Sequence, residues 1–174
     1  MSLNLSGWLP RSPSLVVDTQ VASSLRAWMA GRSAGPTPDA LDFAIQRLDL
    51  SDERRSDDDR LVDAWIAFES LLSKPSGEGS ELSYRIPLRL AMLLGNSPAE
   101  RKEIRSLARR SYALRSKIVH GTLPDQRAKK FNVGEITQQT EELLRRTLQV
   151  WVTSGFGTPE QAIESLEDSF LGEE

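Results

Sequence analysis

One short stretch holds the residues best suited to chemistry: Ser111-Tyr112-Ala113-Leu114-Arg115-Ser116-Lys117-Ile118-Val119-His120-Gly121. His120 is the only histidine in the chain, and Arg115 precedes it by five positions. Histidine is the one side chain whose unperturbed pKa lies near neutrality. If the protein moves protons near neutral pH, His120 is the first candidate by elimination. A phosphodiester suits this pair. Arginine offers two hydrogen bonds to phosphate oxygens and stabilises the charge of a pentacovalent transition state. Histidine takes the proton of a ribose 2′-hydroxyl or protonates the leaving oxygen. RNA carries its own nucleophile, so neither a metal nor a protein nucleophile is required.

The spacing leaves two readings open. Five residues on a helix are separated by about 140° around the axis, so Arg115 and His120 do not share a face by default. The length of arginine and the place of His120 at a helix end would still let both reach one cleft. Alternatively, a histidine in the last turn before glycine complements the helix dipole and caps the final carbonyls.

Composition narrows the chemistry. The 174 residues suffice for one well-buried domain. The absence of cysteine excludes disulfides, thiolate nucleophiles and cysteine metal sites. A single histidine argues against zinc. The run Asp57-Asp58-Asp59 has no companion acidic motif, so no metal and no cofactor is expected. There is no Walker A sequence and no Gly-x-Gly-x-x-Gly loop to cradle phosphates. No leader pattern and no apolar run of membrane-spanning length occurs, and a cytoplasmic protein without a membrane partner is the expectation.

The net charge of −3 conceals an asymmetry. Residues 98–130 carry Arg101, Lys102, Arg105, Arg109, Arg110, Arg115, Lys117, Arg127, Lys129 and Lys130 against Glu100, Glu103 and Asp125. That segment is +7 and the remainder −10. Cations concentrated on one element mark a polyanion partner, or else a solvated face paired with acidic neighbours.

The elements that would position these residues all read as helices. Residues 1–17 form an arm without periodicity, and a flanking helix is expected from Asp18 to about Ala30. Thr37-Pro38-Asp39 starts a helix carrying Leu41, Ala44, Ile45 and Leu48, followed by an exposed charged loop from Ser51 to Asp59 whose Asp52-Glu53-Arg54-Arg55 segment could extend a helix. The next helix bears Leu61, Val62, Trp65, Ile66, Phe68, Leu71 and Leu72, a face wide enough for the centre of the core. Glu69 interrupts that face. A helix over roughly Glu81–Leu94 places Arg89 on its own apolar face beside Ile86 and Leu93. Glu69 and Arg89 are therefore expected to meet as a buried or half-buried ion pair, at a cost of about 3–5 kcal/mol if one partner is removed. Ser97-Pro98-Ala99-Glu100 starts the basic helix with a capping box, and Gly121 stops it after His120. A helix over about 133–153 and a short one from Thr158 complete an all-α bundle. The domain plan is an arm and flanking helix over 1–36, a bundle over 37–155 and a C-terminal helix over 156–174 packed on it.

In this order, three stretches resemble the HEPN superfamily, closest to its Apea-like branch. They are Asp59-Arg60-Leu61-Val62-Asp63-Ala64-Trp65-Ile66-Ala67-Phe68-Glu69-Ser70-Leu71-Leu72, Ser83-Tyr84-Arg85-Ile86-Pro87-Leu88-Arg89-Leu90-Ala91-Met92-Leu93-Leu94-Gly95, and Tyr112 to Gly121 with its Arg-x4-His pair. The resemblance covers roughly residues 39–153. It implies a HEPN-like helical bundle with extra flanking elements, and a homodimer that unites two such motifs in one cleft. It also implies metal-independent endoribonuclease activity in stress response, toxin–antitoxin pairs or phage defence. Arg115 would bind the scissile phosphate and His120 would act as acid or base. Glu69, Arg89 and Ser116 would support them, and Arg109, Lys117 and Arg105 would hold flanking phosphates of the RNA. Ser116 stands where catalytic members often carry a larger polar residue. Thr122 stands where members silenced by nucleotidyltransferase partners often carry tyrosine, so that modification is not expected, although another regulatory protein partner is compatible. A non-catalytic module binding RNA, a nucleotide or a protein is the alternative.

Overall fold

A computed structural model of the chain describes residues 39–74, 81–122 and 132–172. Every element among them is a helix: α1 (Asp39–Glu53), α2 (Asp57–Leu72), α3 (Leu82–Leu94), α4 (Pro98–Val119), α5 (Val133–Ser154) and α6 (Pro159–Leu171). The architecture is an all-α bundle, as the apolar periodicities require. The arm, the helix expected over 18–30, the Thr37-Pro38 start and the basic loop over 123–131 lie outside the described residues. Among the described residues no helix is long and apolar enough to cross a membrane.

The core is built around α2, which touches each of the other five helices. Ser56 opens it by accepting a hydrogen bond from the Asp58 N–H, and Asp57, Asp58 and Asp59 fill the first turn, where the dipole favours negative charge. Leu61, Ala64, Trp65, Ala67, Phe68, Leu71 and Leu72 are all buried. An apolar surface that wide suits a helix flanked on several sides. Leu41 and Ala44 of α1, Ile86 and Leu90 of α3, Ile104 and Leu114 of α4, Trp151 of α5 and Ala162 of α6 close around it. Each large side chain so buried stabilises the fold by about 1.5–3 kcal/mol.

Two buried carboxylates tie this core to its neighbours, and neither is visible in the periodicity. Asp63 accepts from Arg47 Nη1 at 3.2 Å and from Arg54 Nε at 2.9 Å, joining α2 to the end of α1. Glu141 of α5 accepts from both ends of the Arg60 guanidinium and from Ser51 Oγ at 3.3 Å. Ser51 also donates to the Leu48 carbonyl at 2.8 Å. It is fully buried, and α1 continues to Glu53. The exposed loop expected from Ser51 to Asp59 thus shrinks to residues 54–56.

The expected pairing of Glu69 with Arg89 is not made. Arg89 is buried as expected, but its Nη1 donates to the Leu72 carbonyl at 2.7 Å and its Nη2 to Glu167 Oε1 at 3.3 Å. A cation at the C-terminus of α2 satisfies an orphan carbonyl and complements the dipole there. Arg89 thereby links α2, α3 and α6, while Glu69, one turn earlier, faces α4. Pro87 lies within α3, where only the Ser83 carbonyl loses its donor, and the helix continues through it. Gly95 lets the corner between α3 and α4 close: a Cβ there would lie 2.5 Å from Arg101 Cγ and 2.7 Å from the Ala91 carbonyl oxygen.

Arg89→Ala removes a buried charged donor and is expected to lower unfolding free energy by about 2–3 kcal/mol. Glu167→Ala removes a half-exposed partner and is expected to cost less than about 1 kcal/mol. Urea denaturation of both variants checks the ordering, and equal losses would contradict the capping role.

Candidate functional site

The site is organised by α4. Ser97 caps its start, with its hydroxyl accepting from the Glu100 N–H at 3.2 Å and Pro98 in the first turn. The expected capping box is shifted by one residue, because Glu100 Oε2 accepts from the Asn96 N–H at 3.0 Å rather than from Ser97. That bond, followed by the one from Arg146, holds the Glu100 carboxyl below the usual carboxylate range. The helix buries Ile104, Ala108, Ser111 and Leu114.

The rotation of α4 is fixed against α2. Trp65 Nε1 donates to Ser111 Oγ at 3.0 Å in the buried interior. The Trp65 ring stands edge-on to Phe68, with centroids 5.4 Å apart, and to Tyr112, at 4.9 Å. One turn further along both helices, Glu69 Oε1 meets Arg115 Nη2 at 3.3 Å. Steps of four residues in the same direction on each helix mean that α2 and α4 run parallel along this seam. The Arg115 guanidinium also lies 5.9 Å from the centre of the Tyr112 ring, at the outer limit of a cation–π contact. Arg115 is half-buried, and its Nε is enclosed without a hydrogen-bond partner.

His120 is placed differently. It is the C-terminal cap of α4 and is exposed. Gly121 follows in the left-handed conformation, with φ of 64°. Its N–H donates to the Ile118 carbonyl at 3.1 Å, and the Thr122 N–H donates to the Lys117 carbonyl at 2.9 Å. This pair of bonds is a Schellman turn, so backbone groups satisfy the last carbonyls. Among the described residues the imidazole has no hydrogen bond or ion pair. The carbonyl-capping role that the sequence left open is therefore carried by Gly121 and Thr122, not by the His120 side chain.

Among the described residues no hydrogen bond or ion pair joins Arg115 to His120 of the same chain. Arg115 sits on the face of α4 turned to α2, and His120 lies about 140° around the axis from it. Glu69 contacts Arg115, whereas Arg89 is engaged at the end of α2. Ser116 is half-buried and its carbonyl accepts the His120 N–H at 3.0 Å. Lys117 is half-buried one turn before His120. Arg109 is exposed on the outer face, and Arg105 is half-buried with its guanidinium 5.2 Å from the centre of the Tyr84 ring.

That outer face holds residues that the motif alone does not single out. Lys102, Arg105, Ser106, Arg109, Arg110 and Ala113 line a groove of about 430 Å³. This is roughly the size of a small-ligand site, and four of its six lining residues are cationic. Lys102, Arg109 and Arg110 make no ion pair among the described residues. The steps of four, three and four from Lys102 to Ala113 were a legible signal of one helical stripe. Tyr84 was not legible, because its approach to Arg105 depends on the α3–α4 corner. Among the described residues no cluster of three or more metal-ligating side chains occurs. Asp57 instead pairs with Arg60 at 3.1 Å.

Comparison of the chain with protein-family models, with curated proteins and with solved structures finds no match.

Ser111→Ala leaves the Trp65 N–H buried without an acceptor and is expected to cost about 1–3 kcal/mol in urea unfolding. Ser111→Thr retains the hydroxyl and should recover part of that loss. A Ser111→Ala protein as stable as the wild type would contradict the role of this bond.

Proposed function

We propose that the protein is a metal-independent endoribonuclease of the HEPN type, working as a homodimer in which Arg115 and His120 from different copies meet at one scissile phosphate. The observation that carries this reading is His120: an exposed imidazole without a capping or pairing duty among the described residues, at the end of a helix whose outer face is cationic. The resemblance in the Arg-x4-His motif supports it, and the setting in stress response, toxin–antitoxin pairs or phage defence follows from that resemblance alone.

The division of labour follows from the chemistry of each group. A His120 ring nitrogen accepts the proton of the ribose 2′-hydroxyl. The 2′-oxygen attacks the adjacent phosphorus, and the bond from phosphorus to the 5′-oxygen breaks. The leaving oxygen takes a proton from water. The products are a 2′,3′-cyclic phosphate and a 5′-hydroxyl. Arg115 binds the non-bridging oxygens, whose charge grows in the transition state. Glu69 is a positioning residue that holds the guanidinium before substrate arrives. The separation of about 140° within one chain favours cooperation between copies.

The second reading, a non-catalytic module that binds RNA, a nucleotide or a regulatory protein, draws on the same ion pair, because Glu69 partly neutralises Arg115.

Incubation of mixed RNA in EDTA separates the two. The wild type is expected to yield 2′,3′-cyclic phosphate ends, and His120→Ala to lower the rate by about 100-fold or more. Equal rates for variant and wild type, or cleavage that requires a divalent metal, would overturn the ribonuclease reading. Intact RNA that binds the folded wild type would favour the binding module.

A further inference from the structure

The outer face of α4 extends well beyond the residues needed at one scissile phosphate. Lys102 and His120 are eighteen positions apart, which is five full helical turns, so they share one angular position at a separation of about 27 Å. Arg109 lies within about 20° of the same line. Arg105 and Arg110 flank it in the groove. None of Lys102, Arg109 and Arg110 is neutralised by an acidic neighbour among the described residues. Beside the groove-lining Arg105, Tyr84 is 55% exposed, with the Arg105 guanidinium 5.2 Å from its ring centre. A row of cations tracks a phosphate backbone, and an exposed ring backed by arginine offers a surface on which a base stacks. An acidic peptide would use the cations but not the ring. A membrane surface would call for apolar side chains among the cations, and the groove offers only Ala113.

We infer that the outer face of α4, with Tyr84, is a track for single-stranded RNA in which Lys102, Arg105, Arg109 and Arg110 hold successive phosphates and Tyr84 stacks one base. The track has a length requirement. Four successive phosphates require at least five linked nucleotides, and the groove from Lys102 to Ala113, about 17 Å along the helix, spans about five at roughly 3.4 Å each. Shorter strands engage only part of the groove. The inference rests on the ribonuclease reading only for the direction of the strand towards His120, because binding is measurable without turnover.

The test is fluorescence anisotropy of end-labelled tetra-, octa- and dodecaadenylate, with the full chain carrying His120→Ala so that no strand is cleaved. Affinity is expected to rise steeply up to the octamer and then to flatten. Adding Lys102→Ala and Arg110→Ala is expected to weaken dodecamer binding about tenfold or more and to reduce the dependence of log Kd on log salt by about 0.7 for each cation removed. Both side chains are exposed, and circular dichroism of the variant checks that the fold is kept. Tyr84→Ala is expected to weaken binding about fivefold or more, and Tyr84→Phe to restore it. Arg55→Ala removes one exposed cation between α1 and α2 and is expected to leave binding unchanged.

Equal affinity for tetramer and dodecamer, equal weakening by Arg55→Ala, or equal affinity for polyglutamate would overturn the track. A wild type that is inert on RNA while its chain shows the length threshold defeats the ribonuclease reading alone. A wild type that cleaves while its His120→Ala variant shows no threshold defeats the track alone.

Discussion

A single buried hydrogen bond, from the indole of Trp65 to the hydroxyl of Ser111, fixes how α4 is turned against the central helix. Everything proposed for the site depends on that rotation. It seats Tyr112 edge-on against the Trp65 ring and places Arg115 opposite Glu69 one turn later. The same rotation leaves the stripe from Lys102 to His120 on the outside. A turn of α4 by one residue would move its positions about 100° around the axis. It would drive the cations of the outer face towards the core, where their desolvation is prohibitive without partners. The seam therefore has one acceptable setting, and that setting turns Arg115 towards Glu69 of α2.

The electrostatic layout follows the same logic. Buried carboxylates are each matched by arginine: Asp63 by Arg47 and Arg54, Glu141 by Arg60. Arg89 finds a carbonyl and a carboxylate at the end of α2. Against this background of matched charge, the cations at Lys102, Arg109 and Arg110 stand apart. A solvated helix face explains one of them without further argument. Three on a stripe that lines a groove, beside an exposed ring, fit a polyanion better.

The helices were legible in the sequence because their causes are local. Ser97-Pro98 and Thr158-Pro159 are starts whose hydroxyls cap as the residue types demand, and Gly121 and Gly155 adopt the left-handed conformation that ends a helix. The apolar stripe of α2 correctly marked it as central. What was not legible depends on the angle and stagger between helices. Glu69 and Arg89 each sit on the inner face of their helix, yet Arg89 meets the end of α2 and Glu69 meets α4. Ser51 reads as loop because its partner, Glu141, is ninety residues away. The site was half legible: residue types nominated Arg115 and His120, while the ion pair to Glu69 and the freedom of His120 from capping required the three-dimensional seam.

The claim on which the account turns is that Arg115 and His120 act together from different copies of the chain. The most direct test is to mix Arg115→Ala and His120→Ala proteins, each inactive alone, after allowing subunits to exchange. Random re-pairing places both substitutions in about half of the dimers, and each such dimer keeps one intact pairing of Arg115 with His120. The account predicts that the mixture regains about a quarter of wild-type cleavage. A mixture that exchanges subunits yet stays as inactive as either variant, while the wild type cleaves, would contradict it.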